Sequence, residues 1–146
     1  MIRLATKDDY NALDKMCSEF WEHAPYDVAY KAGSAINTFD LCLSQGLLFV
    51  AEINQEIIGF TAGIAVPLLG NMDVLHGTEL AWWVAPEHRG GTAGIKLLKR
   101  LESAAKEKGC VYWSMAFMET SMPSVVKKMY EKLNYELKET SYGKRL

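Results

Sequence analysis

The segment Val84-Ala85-Pro86-Glu87-His88-Arg89-Gly90-Gly91-Thr92-Ala93-Gly94-Ile95 constrains the chain more than any other. An apolar, β-prone run from Thr78 to Ala85 enters it and stops at Pro86. A helical run leaves it: Leu97, Leu98, Leu101, Ala104 and Ala105 share one face between Ile95 and Lys108, and Gly109 stands where a C′ glycine belongs. A strand, a glycine turn and a helix in that order gather two things at the turn: N–H groups without partners inside the helix, and the positive end of its dipole. Glycine lets an anion approach that backbone closely, and Arg89 adds a charge-assisted contact. The turn reads as an anion cradle, most simply for a pyrophosphate. A plain tight turn with a solvated Arg89 is the alternative that the turn alone leaves open. It is not a Walker A loop, because no Gly-Lys-Ser/Thr follows, and it is not GxGxxG, because the glycines fall at 90, 91 and 94.

The rest of the chain alternates helical and strand patterns. Ile2 to Ala5 predicts a short edge strand, and Thr6 with Asp9 a capping box before Tyr10, Leu13, Met16, Cys17 and Phe20 recur at helical spacing. Pro25 interrupts, and a second helix is expected over 28–44, weakened by Gly33 and Asn37 and ended by Gly46. Leu47 to Ile53 and Ile57 to Pro67 predict a hairpin about the turn at 54–56, with Gly59 and Gly63 marking a twist or bulge. Leu69 to Asp73 is expected to be loop. Strict alternation along 78–85 puts Glu79, Ala81, Trp83 and Ala85 on one face. Cys110 to Phe117 predicts a strand, and Pro123 opens a helix carrying Val126, Met129, Tyr130 and Leu133. Tyr135 to Leu146 is expected to add one or two short strands. Helices between strands, with a hairpin in the middle, predict a mixed α/β (α+β) sheet with helices on both faces, in one domain over 1–146.

Composition removes several classes. A net charge of −2 argues against nucleic acid, whose binders carry a basic excess, although Lys96, Lys99 and Arg100 cluster on the helix after the turn. Cys17, Cys42 and Cys110 are odd in number and lack CxxC spacing, so a reducing, cytoplasmic setting is expected without disulfides. His23, His76 and His88 lie far apart, so no metal site is expected. No signal-type run opens the sequence and no apolar stretch is long enough for a membrane span.

At the glycine turn the chain resembles the GNAT acyltransferase family. Val84-x-Pro86-x-x-Arg89 matches the family's V-x-P-x-x-R, and Arg89-Gly90-Gly91-Thr92-Ala93-Gly94 is similar to its Q/R-x-x-G-x-G/A turn, with Thr92 at the first family glycine. Tyr130-Glu131-Lys132-Leu133-Asn134-Tyr135 resembles the family's Y-E-K-L-G-F, with Asn for glycine, and Tyr142-Gly143-Lys144-Arg145-Leu146 its closing Y-x-K-x-L. The resemblance implies a mostly antiparallel sheet in which two parallel strands, near 78–85 and 110–117, splay apart to receive acetyl-CoA as co-substrate.

By that resemblance Trp83 and Val84 would contact the pantetheine arm through their backbone. Arg89 and the amides of Gly90, Gly91, Thr92, Ala93 and Gly94 would hold the pyrophosphate. A strand amide near Trp83 or Val84 would polarise the thioester carbonyl. The acceptor would be an amine, on a small molecule or a protein. An alkyl amine is protonated at neutral pH, so a base is needed; Glu79, on the face of Trp83, is the leading candidate and Glu119 the alternative. Tyr130 would supply the proton to the leaving thiolate, although its helical spacing also suits a core residue. The family's asparagine near the start of that helix is Pro123 here. Phe20, Trp21, Glu22, His23, Tyr26, Asp27, Asp73 and His76 would face the acceptor. A homodimer through the C-terminal strands is a further implication, and a non-catalytic CoA-binding or regulatory module on the same fold is the alternative function.

Overall fold

The computed structural model describes residues 1–146. Its elements are β1 (Ile2–Leu4), α1 (Tyr10–Trp21), α2 (Ile36–Ser44), β2 (Leu48–Ile53), β3 (Glu56–Leu68), β4 (Asn71–Val84), α3 (Ala93–Glu107), β5 (Cys110–Ser114) and α4 (Pro123–Lys132). The strands form one sheet in the order β1-β2-β3-β4-β5. The first four pair antiparallel, and β5 pairs parallel to β4. The expected mixed sheet with one parallel pair is therefore present, and α3 makes the β4–β5 crossover that a parallel pair requires.

Strand alternation sends each face of the sheet into its own core. On one face Leu48, Val50, Phe60, Ala62 and Trp83 pack against Leu13, Met16 and Cys17 of α1 and Phe39 and Cys42 of α2. On the other, Phe49, Ala51, Ile58 and Ala65 pack against Leu97, Leu101, Ala104 and Ala105 of α3. Both middle strands are covered on both faces, which is why Leu47 to Ala51 reads as an unbroken apolar run. Thr61, wholly buried, keeps its hydroxyl satisfied by donating to the Ala81 carbonyl at 3.3 Å.

The start of the chain is tied down by charge as well as packing. The Asp9 carboxylate accepts the Thr6 N–H at 2.8 Å, as the capping pattern predicts. It also takes both terminal nitrogens of Arg3, whose Nε reaches Glu52 on β2. The Arg3 guanidinium holds Asp9 below the usual carboxylate range.

Four expectations are corrected. The second helix begins at Ile36, not 28. Gly33 is left-handed (φ 79°) and its N–H, with the Tyr30 hydroxyl, is held by the Asp14 carboxylate of α1, so the segment before it folds as a loop against α1. Asn71 to Asp73 belongs to β4, because Asn71 already pairs with Leu68 and the hairpin turns on Leu69 and Gly70 alone. The strand expected over 110–117 ends at Ser114. The residues from Tyr135 onward form no strand. Their alternation is real, but Leu137 and Tyr142 lie exposed and the outer edge of β5 stays unpaired, so neither a ladder nor burial holds them as a strand.

Candidate active site

Pairing between β4 and β5 runs only from Leu75 opposite Cys110 to Thr78 opposite Ser114. Beyond Thr78, β4 continues to Val84 beside β3 alone, so 79–84 present an edge with no β5 partner. The strands part, and a gap opens that begins at Glu79.

A bulge changes which way Glu79 points. Ala81 pairs with Ala62 but Glu79 pairs with the next residue, Gly63, so Leu80 is the extra residue. Glu79 thus lies on the sheet face opposite Trp83, which pairs with Phe60. The shared face expected from strict alternation is corrected, because one inserted residue reverses the phase of everything before it. The glycines at 63 and 77 serve the same region. A Cβ on Gly77 would stand 2.4 Å from Cε3 of the Trp113 ring, and one on Gly63 2.7 Å from its Cη2. Only glycine lets the indole of β5 lie flat across β3 and β4.

Glu79 and Tyr130 meet on the backbone of a single residue, Ala116. The Ala116 N–H, just past β5, donates to the Glu79 carboxylate at 3.4 Å, and the Ala116 carbonyl accepts the Tyr130 hydroxyl at 2.7 Å. Burial pushes the Glu79 carboxyl up to about 7, against the opposing pull of the Ala116 N–H. Tyr130, buried on α4, is driven far above its ordinary value, first by burial and then by the Glu79 charge. The carboxyl can therefore take up a proton near neutral pH, whereas the phenol keeps its own and acts as a donor. Glu119, the alternative base, is exposed and makes no hydrogen bond. Nothing in the sequence marks Ala116, because a backbone group performs its part and any residue type carries one.

The turn leaves a row of backbone donors without partners. The N–H groups of Gly90, Gly91, Thr92, Ala93, Gly94 and Ile95 have no partner in the chain, and the first bond of α3 is donated by the Lys96 N–H to the Thr92 carbonyl at 3.0 Å. Gly90 is left-handed (φ 84°), which turns the chain back toward the helix. Gly94 sits against Trp82, whose indole N–H donates to the Gly94 carbonyl at 3.1 Å and fixes the helix start to β4.

Arg89 does not join these amides. Its Nε donates to the Val84 carbonyl at 2.8 Å, and its guanidinium lies over the Trp83 ring, 4.2 Å from the centroid. The Val84 carbonyl is thus occupied by a side chain, and Trp83 is buried in the α1-side core with Phe20 and His23 against its ring.

Of the residues expected to face an acceptor, Phe20 and His23 pack against Trp83, and Trp21 stacks on Tyr26 while donating to the Val28 carbonyl at 2.7 Å. Asp27 pairs with Arg145, which straps the end of the chain across this loop. His76 is on β4 rather than in a loop, and its Nε2 is 2.7 Å from the Ser114 hydroxyl at the last paired rung before the gap. Asp73 lies exposed near the far end of β4 and takes no part in the gap. No helix is long and apolar enough to cross a membrane.

Comparison with solved structures finds the same fold throughout. The chain superposes over 100% of its length on 99% of a ribosomal-protein-alanine N-acetyltransferase from Brucella melitensis, with TM-score 0.73 and 17% identity. It superposes equally completely on 99% of a transcriptional regulator from Bacillus halodurans, with TM-score 0.78 and 19% identity. A third relative is the aminoglycoside acetyltransferase AAC(6')-Iy bound to a bisubstrate analogue, with TM-score 0.75, 17% identity and 97% of that chain covered. No curated protein matches the chain by sequence. The model of the acetyltransferase (GNAT) family matches residues 8–135, from the capping turn before α1 to the residue after Asn134, and the chain belongs to that family.

Proposed function

We propose that this protein is an acetyl-CoA-dependent N-acetyltransferase that delivers an acetyl group to a primary amine by direct attack in a ternary complex. The observation that supports this best is the meeting of Glu79 and Tyr130 on Ala116, where β5 leaves β4. A carboxyl near 7 is matched to taking a proton from the attacking nitrogen close to neutral pH, and a phenol that resists ionisation stays available as a hydrogen-bond donor to the leaving thiolate. Both are held by the backbone of one residue, so the group that takes the proton and the group that donates to the sulfur keep a fixed relation.

Acetyl-CoA supplies the acetyl group. Supporting that choice are the family and the relative AAC(6')-Iy, which is solved in complex with CoA. The unpartnered amides of Gly90 to Ile95 offer a pyrophosphate several donors at the positive end of a helix of 15 residues. Thr92, in place of a glycine, keeps its amide and adds an exposed hydroxyl. The amine attacks as its free base, having given its ammonium proton to water; Glu79 takes the second proton as the C–N bond forms and the C–S bond breaks, and CoA leaves as a thiolate that accepts a hydrogen bond from Tyr130 and is protonated by solvent.

The test is thermal stability with acetyl-CoA, with ATP and dephospho-CoA as controls, followed by thiol release across a panel of amines. Ligand at about 100 Kd stabilises a folded protein by roughly 2.7 kcal/mol. A shift with acetyl-CoA beyond that with ATP, and amine-dependent thiol release, are expected. No shift at millimolar acetyl-CoA refutes the proposal, and a shift with no turnover of any amine points to a CoA-binding module instead.

A further inference from the structure

The Trp113 indole does more than fill space beside the gap. Residues 75–79 of β4 pair with 63–67 of β3 without a break, so Gly77 and Glu79 share one sheet face with Gly63, the cross-strand partner of Glu79. A Cβ on Gly77 would stand 2.4 Å from Cε3 and 2.6 Å from Cζ3 of Trp113, and one on Gly63 2.7 Å from its Cη2. The six-membered ring therefore spans the two glycines, diagonally across β3 and β4. Glu79 is the third corner of that patch. Directly paired residues have their Cβ positions about 4.5–5.5 Å apart, so a ring resting on the Gly63 position lies against the Glu79 side chain. Leu101 of α3 adds a second apolar wall, with its Cδ2 3.4 Å from the same Gly63 position. Glycine weakens a strand interior; here two of them, on adjacent strands, make room for one ring.

No charge offsets these walls. Glu79 is in no salt bridge. His76 falls on the opposite sheet face with Thr78, where Ser114 engages it. Glu102 of α3 accepts the Tyr135 hydroxyl instead. The hydrogen bond that reaches the carboxylate comes from the Ala116 N–H, and the Tyr130 hydroxyl of α4 is held on the Ala116 carbonyl. We propose that Trp113 is the positioning residue of this site: its ring shuts water away from the Glu79 carboxyl and holds that side chain at the start of the gap, where the attacking nitrogen gives up its proton. A carboxylate denied water on one side binds a proton more tightly, which suits it to act as a base near neutral pH. This inference rests on the acyl-transfer reading and assigns the group that tunes its base.

Melting temperatures of four proteins test it: the unmodified chain, Glu79→Gln, Trp113→Leu and the double variant, each at pH 4 and pH 9. The gain from Glu79→Gln at pH 9 over that at pH 4 reports how strongly the site penalises the charged carboxylate. Stability lost by shortening Trp113 itself cancels, because the gain is taken within each background. With Trp113 in place a gain of about 6–10 °C is expected, and in the Trp113→Leu background it should fall below half of that. Trp113→Phe, whose ring covers less of the Gly63 position, should give an intermediate gain, and it stands in for the leucine variant if that one does not fold. With an alkyl amine, the bend in log kcat/KM should move from near pH 7 in the unmodified protein to below about pH 6 in Trp113→Leu, and part of the way in Trp113→Phe. An equal gain in every background overturns the inference, as does a bend that stays near 7 or the absence of any gain with Trp113 in place. If no amine is turned over, the acyl-transfer reading has failed, and the melting series still decides by itself whether Trp113 governs Glu79.

Discussion

Replacing Glu79 by glutamine tests stability and chemistry together. In the unfolded chain this carboxyl ionises near 4.5, and in the folded protein burial pushes it to about 7. Below pH 4.5 it is neutral in both states and costs nothing. As pH rises past 4.5 the unfolded chain ionises first, so the folded state loses stability progressively until pH 7, above which the penalty is constant. At about 1.4 kcal/mol per pH unit the full interval is worth roughly 3 kcal/mol, and solvent that still reaches this half-buried residue reduces it to about 2–3 kcal/mol. Glu79→Gln removes the penalty. At pH 9 the variant should melt higher than the unmodified protein by roughly 6–10 °C, and at pH 4 the two should coincide. The chemistry should move the other way. With an alkyl amine, itself protonated across the range, log kcat/KM of the unmodified protein should rise to a bend near pH 7. In the variant the bend should vanish and the rate fall by about 10²–10⁴. Melting curves at several pH values and a thiol-release profile read both effects. A bend near 7 that persists in Glu79→Gln, or a variant no more stable than the parent at pH 9, refutes the assignment of the base and of its environment.

Tyr130→Phe keeps the ring but loses the hydroxyl given to Ala116. Thiol release should drop by about 10²-fold or more, acetyl-CoA should still raise the melting temperature, and stability should fall by about 1 kcal/mol. Gly77→Ala drives a methyl into the Trp113 ring, and a loss of about 1–3 kcal/mol should show in denaturant unfolding as a lower midpoint with unchanged slope. Asp9→Asn leaves Arg3 short of its carboxylate; because Asp9 is held low in the folded state, its contribution is present above the unfolded value and lost as pH falls, so a deficit of about 2–3 kcal/mol at pH 7 should shrink toward zero in acid. Arg89→Ala should weaken acetyl-CoA if Arg89 leaves Trp83 for the pyrophosphate on binding, and an unchanged thermal shift would show that the backbone amides hold the anion alone.

The local patterns settled a good part of this protein in advance. Apolar spacing along α1, α3 and α4 marked their buried faces because a helix must turn one stripe inward, and Gly109 and Asn134 both took the left-handed backbone their places demanded (φ 96° and 63°). The strand–glycine–helix order implied the row of free N–H groups at 90–95, since unpartnered amides at a helix start follow from backbone geometry whatever the side chains are. Tertiary structure decided the rest. The Leu80 bulge, a matter of register between β3 and β4, put Glu79 on the face opposite Trp83, and no single strand's alternation contains that information. Burial from several elements at once set the Glu79 carboxyl near 7, and the meeting of Glu79 and Tyr130 on Ala116 depends on where β5 leaves the sheet. Arg89 was drawn to Trp83 and the Val84 carbonyl because those groups lie within reach only once β4 is in place. Residues after Asn134 alternate as a strand would, yet the outer edge of β5 stays unpaired and Leu137 and Tyr142 stay exposed: alternation permits a strand, and only pairing and burial make one.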